Sequence, residues 1–345
     1  MENEILEERK SILTSIYNKK AYILIFLGIF ARIIMLIFYY YTHSIDPNRS
    51  WGDLGGYYVD NQTSTPLTIA LLIFFRIISF GKIEIFIFWG FFWDLLTCLI
   101  FYFVLKSFNV KNKNYAFGLF LINPFFFLTN SFSLENCGYH ITDAFFLFFL
   151  LMAFIYFPKR ESYARYAFYL FLGLSMCIKY YTLPALGFFF IKYLYERDWK
   201  EMKIFFETIV PLVIVFLLIP LFIFEWFYDS LFNWYSVGAS LPLFIRVIPI
   251  ATISILFILF RLSKSDSFEI TILSIVVLGS FMIFSYPYLR WFQAIIFYGI
   301  LKEKEFFTLN LKYLKKEIKV NNHLITFYFS IFGVFLAYLF ILYIH

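Results

Sequence analysis

The feature that most constrains this chain is a succession of twelve apolar segments that occupies most of its length. They lie at about 22–42, 66–80, 85–105, 114–130, 143–157, 166–178, 181–195, 205–225, 243–261, 268–285, 289–302 and 324–344. Hydrophobic residues make up 62% of the chain and charged residues 15%, whereas soluble domains have about 45–50% and about 25%. This excess excludes a soluble globule. Because one span takes about 20 residues, the sequence predicts an all-α, polytopic membrane helix bundle that forms a single integral membrane domain over 1–345.

The distribution of basic residues predicts the orientation of the bundle. If segment 66–80 does not cross the membrane, 22 of the 29 Lys and Arg residues fall on one side, which identifies that side as cytoplasmic. We therefore predict about eleven transmembrane helices, a cytoplasmic N-terminus, and an interfacial or re-entrant helix at 66–80. A multi-pass protein of the prokaryotic plasma membrane or the eukaryotic endoplasmic reticulum is expected. The net charge of +6 then reports orientation and gives no indication of a nucleic-acid partner.

This topology makes 43–84 one long first outer loop, and we expect function there because the other outer loops are short. Asp53 stands in this loop within the sequence WGDLGGYY. Glycines permit close backbone packing, and aromatic side chains lower the local dielectric, so Asp53 is a candidate general base for a hydroxyl. The alternative is an exposed turn residue or a helix N-cap, and the same alternative applies more strongly to Asp46 and Asp60.

A single lysine separates two apolar segments, 166–178 and 181–195, each of which is shorter than a full span. The two segments predict a helical hairpin whose tip lies below the outer surface. A lysine at the bilayer centre costs about 2.5–3.5 kcal/mol. Lys179 is therefore expected either to extend to the headgroups or to bind an anion such as a phosphate.

A late aromatic motif offers groups that suit a sugar phosphate. Arg290 has a bidentate guanidinium for phosphate, Tyr288 and Trp291 can stack on sugar faces, and Gln293 can bond hydroxyls. The alternative is an aromatic belt at the membrane surface with one arginine that extends to the headgroups.

Other polar residues lie beside or inside the apolar segments. His140 and Asp143 are spaced as a ligand pair, but two ligands do not make a metal site, and a capped helix start is the alternative. Asp94 is an intramembrane acid that requires a partner, and Arg32 in the first segment is the candidate. Three scattered cysteines have no metal-site spacing and are expected to be structural.

The order of these pieces resembles the GT-C glycosyltransferases, multi-span enzymes that take sugars from polyprenyl-phosphate donors. The chain is most similar to the GPI mannosyltransferase I type and its prokaryotic mannosyltransferase-like relatives. The resemblance covers about 30–300 and rests on an ordered set of segments: Arg32, Asp53 with Tyr57 and Tyr58, Pro66, Trp93-Asp94-Leu95-Leu96, Ile122-Asn123-Pro124-Phe125, Gly138 to Asp143, Leu172-Gly173-Leu174, Ile178-Lys179-Tyr180 and Tyr288-Leu289-Arg290-Trp291.

The resemblance implies transfer of a hexose, expected to be mannose, from a polyprenyl (dolichyl) phosphate to a lipid-linked or glycan acceptor at the outer or lumenal face, with inversion. It implies that Asp53 is the catalytic base and that Lys179 and Arg290 bind the donor phosphate. The substrate-binding residues it implies are Tyr57, Tyr58, His140, Asp143, Tyr180, Tyr288, Trp291 and Gln293. Arg32 and Asp94 are expected to be structural polar residues within the membrane. No cofactor and no metal are implied; the partners are the donor, the acceptor, membrane lipid and an accessory membrane subunit of unknown identity.

Three departures and two rival functions accompany this interpretation. The proline that typically follows the family's lysine two residues on is displaced here to Pro184, and the Gly-x-x-Asp spacing is stretched between Gly138 and Asp143. The late motif has Arg290 where relatives often show other residues. A transporter or flippase of lipid-linked sugars would instead use Asp94, Arg32 and Lys179 as pathway charges near the midplane. A non-catalytic membrane subunit would retain the fold without needing Asp53.

Overall fold

The computed structural model describes residues 19–34, 36–37, 40–41, 65–110, 112–122, 141–179, 182–225, 227, 301, 305–311 and 316–321. These residues are mostly helical. The helices are α1 (19–34), α2 (Pro66–Ile78), α3 (Ile83–Ser107), α4 (Lys113–Ile122), α5 (Ile141–Tyr156), α6 (Ser162–Ile178), α7 (Leu183–Glu196) and α8 (Trp199–Val213). A π-helical turn, Ile214–Leu218, and a last helical turn, Ile219–Ile223, continue α8 without a break.

Within the part of the chain that the structure describes, two helices, α3 and the continuous helix Trp199–Ile223, are long and apolar enough to cross a membrane. Each has 25 residues, which corresponds to about 37 Å. Large apolar side chains are exposed along α1, α3 and the extended α8. Such a surface is typical of helices that face lipid, so the described part of the chain agrees with a membrane protein.

Helix α2 begins at a well-capped N-terminus. Thr65 has extended backbone, its hydroxyl accepts from the Thr68 N–H, and Pro66 follows at the first helical position. At the other end, Phe80 and Gly81 both have positive φ values, 53° and 69°, and this turn leads directly into α3. We call the end of the bundle at which α3 begins its upper end.

The directions of α3, α5 and α6 follow from their ring contacts. Trp93 of α3 packs edge-on against Phe145 of α5, while Phe108, just after α3, stacks on Phe157, just after α5. These two helices therefore run parallel, from the upper end downward. Phe157 also contacts Phe168, near the start of α6, so α6 rises again beside α5.

Helix α6 is too short to reach the upper end. Phe108, Phe157 and Phe168 mark one low level of the bundle. From that level α6 rises by about ten residues to Ile178, or about 15 Å, whereas α3 extends for about 37 Å up to Ile83. Helix α6 therefore ends less than halfway up α3.

Helix α7 runs down from the level at which α6 ends, and α8 runs up beyond that level. Tyr169 of α6 contacts Tyr193 near the end of α7 and Phe205 in α8, while Cys177 approaches the carbonyl of Leu212 in α8. The π-helical turn of α8 therefore starts at the height at which α6 ends. Pro220 lacks the N–H that an α-helical continuation would need there, which is a physical reason for the irregular turn.

Helix α2 occupies the upper half of the bundle. Its Phe75 packs against Trp93 and Phe145, and its C-terminal end joins the upper end of α3. Its N-terminal Thr68 lies at Ile178, where α6 ends. Helix α2 therefore runs from half-height to the upper end and does not accompany α3 over its full length.

A two-stranded antiparallel ribbon adds to the helices, and the apolar pattern did not predict it. Strand β1 (Glu305–Leu311) pairs with β2 (Lys316–Asn321), with Thr308 opposite Lys319 and an irregularity between Glu305 and Phe307. The ribbon lies in the basic stretch that the predicted topology assigns to the cytoplasmic side.

Helices α1 and α4 approach each other closely at Gly28 and Gly118. This close approach gives a prediction about stability. A Cβ at Gly28 would lie 2.5 Å from Leu121 Cβ and 2.8 Å from the Leu121 carbonyl carbon. We expect Gly28→Ala to lower the free energy of unfolding by about 1–3 kcal/mol, because backbone cannot yield as a side chain can. Thermal unfolding of the purified protein in detergent measures the change.

Gly187 in α7 is the matched control, because a Cβ there would meet nothing within 4 Å. Gly187→Ala should leave the melting temperature unchanged or raise it slightly, since alanine favours the helix. Equal melting temperatures for the Gly28→Ala and Gly187→Ala variants would show that α1 does not approach α4 this closely.

Candidate functional site

Many of the residues proposed from sequence lie outside the described residues. They are Asp53, Tyr57, Tyr58, His140, Tyr180, Tyr288, Arg290, Trp291 and Gln293. Asp143 is helical in the first turn of α5, but its side chain is not described. Lys179, Arg32 and Asp94 lie among the described residues.

Lys179 lies where the chain leaves α6. Its backbone is extended, with φ −144° and ψ 135°, and its N–H still bonds the Ser175 carbonyl at 3.0 Å. The residue is half-buried. The break after Ile178 agrees with the hairpin that the two short apolar segments predicted, although α7 begins only at Leu183.

Two threonines at the start of α2 bond the residue next to Lys179. The Thr68 hydroxyl donates to the Ile178 carbonyl at 3.0 Å, and the Thr65 hydroxyl lies 3.1 Å from the same oxygen and 2.8 Å from Thr68 Oγ1. Both threonines are buried. The start of α2, which lies inside the predicted outer loop 43–84, is therefore anchored directly beside Lys179.

A second pair of hydroxyls links the end of α6 to the residue that precedes α7. Ser175 Oγ donates to the Leu172 carbonyl at 2.7 Å and lies 3.2 Å from Thr182 Oγ1. Ser175 and Thr182 are fully buried. We call Thr65, Thr68, Ser175 and Thr182 the hydroxyl junction. It satisfies polar groups at a helix break, as a low-dielectric interior requires.

Arg32 and Asp94, the two charges that the sequence placed inside apolar segments α1 and α3, are paired with each other. Arg32 Nε lies 2.6 Å from Asp94 Oδ2, and both side chains are almost fully buried. The Arg32 Nη1 group also donates to the carbonyls of Gly28 and Leu121, at 3.0 and 2.6 Å. The ion pair thus joins α1, α3 and α4.

A further polar network at the lower end of the hairpin escaped prediction. Arg165 of α6 forms a bidentate ion pair with Glu201 of α8, at 2.9–3.1 Å. The Tyr169 hydroxyl hydrogen-bonds the Tyr193 hydroxyl of α7 and lies 3.1 Å from Glu201. The spacing of Arg165 and Tyr169 by one turn was a weak signal, because their partners come from two later helices.

Within the described ranges, no group of three or more His, Cys, Asp or Glu side chains could hold a metal ion. Cys98 and Cys177 are free thiols buried in the core. Burial fits the structural role expected of these two cysteines, and Cys137 lies outside the described residues.

The hydroxyl junction yields a second stability prediction. Thr68→Val keeps the side-chain shape but removes the donor to the Ile178 carbonyl, so we expect the free energy of unfolding to fall by about 1–2 kcal/mol. Thr68→Ser should retain most of the wild-type stability because it keeps the hydroxyl. Chemical or thermal unfolding in detergent measures both variants.

Thr208→Val is the matched control, because among the described residues the Thr208 hydroxyl bonds the Ile204 carbonyl one turn earlier in its own helix. Losing this bond within one helix should lower the free energy of unfolding less than losing the bond between α2 and α6 does. If Thr68→Val is no less stable than Thr208→Val, the contact between Thr68 and Ile178 does not hold α2 to α6.

Comparisons with family models, with curated proteins and with solved structures found no match to this chain.

Proposed function

We propose that the protein is a membrane glycosyltransferase of the GT-C type, which transfers a hexose from a polyprenyl-phosphate donor to a lipid-linked or glycan acceptor. The observation that carries this proposal is the anchoring of Thr65 and Thr68 at the Ile178 carbonyl, 3.0–3.1 Å away. It joins the loop that contains the candidate base to the lysine that is the candidate phosphate ligand. An enzyme needs these two groups around one substrate.

In the proposed orientation, the N-terminus is cytoplasmic, and the upper end of the bundle faces the outside or the lumen. The distribution of charge over the described residues supports it. Basic residues collect at the lower end, where Lys106, Lys159 and Arg160 lie around the ends of α3 and α5. The upper end has fewer basic residues, Arg76 and Lys82, with the acidic Glu84 beside them. The protein is then a multi-pass membrane protein that acts on substrates at the outer side.

The proposed reaction is one displacement with inversion. The acceptor hydroxyl gives its proton to the Asp53 carboxylate, and its oxygen bonds the anomeric carbon. The bond between that carbon and the phosphate oxygen breaks, and its electron pair leaves with the polyprenyl phosphate. Lys179 stabilises the charge on this leaving group, with Arg290 as the second cation, so no general acid is needed.

The surroundings of Lys179 suit an electrostatic role. Its backbone is held by the Ser175 carbonyl on one side, and the hydroxyl junction fixes the residues around it. A cation in a fixed, partly buried position acts on developing charge more strongly than a mobile surface lysine does, because the local dielectric is lower. Mannose is the sugar we propose, on the resemblance alone.

The second candidate is a transporter or flippase of lipid-linked sugars, and one observation favours it. Lys179 lies at half-height in the bundle, where transporters place their substrate sites. The Arg32–Asp94 pair does not favour it, because both charges are buried and bonded within the helix packing. The two functions therefore share Lys179 and differ in Asp53.

Transfer from defined donors separates the two candidates. The purified protein in liposomes is supplied with polyprenyl-phosphate mannose, glucose or arabinose and with a lipid-linked glycan acceptor. The glycosyltransferase predicts a glycosylated acceptor, with the mannose donor preferred. A flippase predicts that the donor becomes accessible in the opposite leaflet while its sugar stays on the phosphate, and this result would overturn the proposal.

Lys179 provides a kinetic prediction for this assay. Lys179→Met should lower kcat/KM for the donor by about 10²–10³-fold, the typical loss when one group that stabilises a developing anion is removed. Lys179→Arg, which keeps a cation, should retain more activity. A reduction of equal size in both variants, or none in either, would argue against a phosphate contact.

A further inference from the structure

We infer that α2 and the α6–α7 hairpin enter the membrane from opposite faces and meet end to end at the hydroxyl junction. Each would cross only half of the bilayer, and together α6 and α2 would take the place of one spanning helix. This inference concerns the membrane topology and does not depend on catalysis.

The lengths of α6 and α7 indicate that neither helix crosses the whole apolar layer. Helix α6 has 17 residues and α7 has 14, or about 25 and about 21 Å, whereas a bilayer core is about 30 Å thick. The lower turns of both helices lie beside charged groups: Arg165 is paired with Glu201, and Lys192 with Glu196. Less than the full length of either helix is therefore available to cross the apolar core.

Helix α8 gives an independent measure of the same height. Gly173 and Cys177 of α6 lie at Ile209 and Leu212 of α8, and α8 continues for about ten further residues to Ile223, or about 15 Å. The apolar part of α8 therefore extends well above the tip of the hairpin. The tip lies near the middle of the apolar layer, not at its upper surface.

Helix α2 fills the space above the tip. It has 13 residues, or about 20 Å, and runs from the Ile178 carbonyl up to the turn at Gly81. A helix that lay flat on the membrane surface would keep all its residues at one height. Instead Phe75 contacts the upper part of α3 while Thr68 bonds the end of α6.

The chemistry of the junction explains why two half-helices can meet inside an apolar layer. The last carbonyl of α6 has no N–H partner within its own helix, and Thr68 supplies a hydroxyl donor from the first turn of α2. The negative end of the α6 dipole faces the positive end of the α2 dipole, as within one continuous helix. Irregular backbone at this depth is tolerated because protein surrounds it.

This arrangement changes the predicted number of full spans without moving either terminus. Both ends of the α6–α7 hairpin lie on the lower side, so two of the eleven predicted crossings become half-crossings. Both ends of the first outer loop, with α2, stay on the upper side.

Site-directed spin labelling measures depth in the membrane through collisions with oxygen and a nickel chelate. Exposed positions on α8, namely Lys203, Val210, Ile214, Leu218 and Phe222, serve as an internal ruler in the full-length protein in liposomes. Each is changed to Cys in turn, in a background in which the three native cysteines are replaced by Ala. The test positions are Leu183 at the hairpin tip and Ala70 and Ile77 on one exposed face of α2. Circular dichroism and melting temperature identify variants that are folded.

The inference predicts that a label at Leu183 matches the depth at Ile214 and lies about 12 Å deeper than one at Phe222. A label at Ala70 should be about 10 Å deeper than one at Ile77. A Leu183 label at the depth of Phe222 would show that the hairpin crosses fully. Equal depths at Ala70 and Ile77 would show that α2 lies flat at the interface. Either result would overturn the inference.

Discussion

Replacing Asp53 by Asn is expected to abolish sugar transfer while leaving the protein folded and in the membrane. Asparagine has nearly the same shape but cannot accept the proton of the acceptor hydroxyl. General base catalysis contributes about 10²–10⁴-fold, so we expect the rate of transfer to fall by that factor. Initial rates of the purified variant with a mannose donor measure the loss.

The predicted first outer loop, 43–84, contains two other aspartates, which serve as controls. Asp46→Asn and Asp60→Asn make the same chemical change a few residues away and should retain most of the activity. If Asp53→Asn retains wild-type transfer, another residue is the base. If the wild-type protein transfers nothing but still supports glycan synthesis in cells, the function is that of a non-catalytic subunit.

Removing one member of the buried ion pair is expected to destabilise the protein strongly. Asp94→Leu leaves the Arg32 guanidinium buried without the carboxylate that lies 2.6 Å away. Breaking a buried pair in this way costs about 3–5 kcal/mol, because one uncompensated charge remains in a low dielectric. Thermal unfolding in detergent, followed by tryptophan fluorescence, measures the change.

The double variant Arg32→Met/Asp94→Leu separates a lost contact from a stranded charge. Replacing both partners by apolar groups of similar size is often neutral or stabilising, so we expect the double variant to be more stable than Asp94→Leu alone. Comparing both single variants with the double variant in a double-mutant cycle gives the sign of the interaction free energy between the two residues. Additive losses would show that the two residues act independently and that the pair does not join α1 to α3.

The helical parts of this fold could be read from the sequence because each depends on a local pattern. Apolar segments of about 20 residues predict α3 and α8, the apolar segment that opens at Pro66 predicts the start of α2, and the interruption at Lys179 predicts the end of α6. The pairing of Arg32 with Asp94 was also accessible, since two opposite charges within apolar segments have few other ways to be satisfied.

Other features could not be predicted because they depend on which elements meet in space. The threonines of the hydroxyl junction resemble any helix cap, and nothing in their spacing identifies the Ile178 carbonyl as their acceptor. The Arg165–Glu201 pair joins α6 to α8, and nothing in the sequence indicates that these two helices lie side by side. The half-height of α6 follows from ring contacts with α5, and the ribbon of β1 and β2 interrupts a stretch that reads as a charged loop.

The distance between Asp53 and Lys179 tests the central proposal most directly. Nitroxide labels at Asp53→Cys and Lys179→Cys, in the cysteine-free background, report it through dipolar broadening of the EPR spectrum in liposomes. The proposed site requires the two positions to lie within about 15 Å, the range that one sugar phosphate can bridge between a base and a cation. We predict a broadened spectrum. A spectrum equal to the sum of the two single-label spectra would contradict a shared active site.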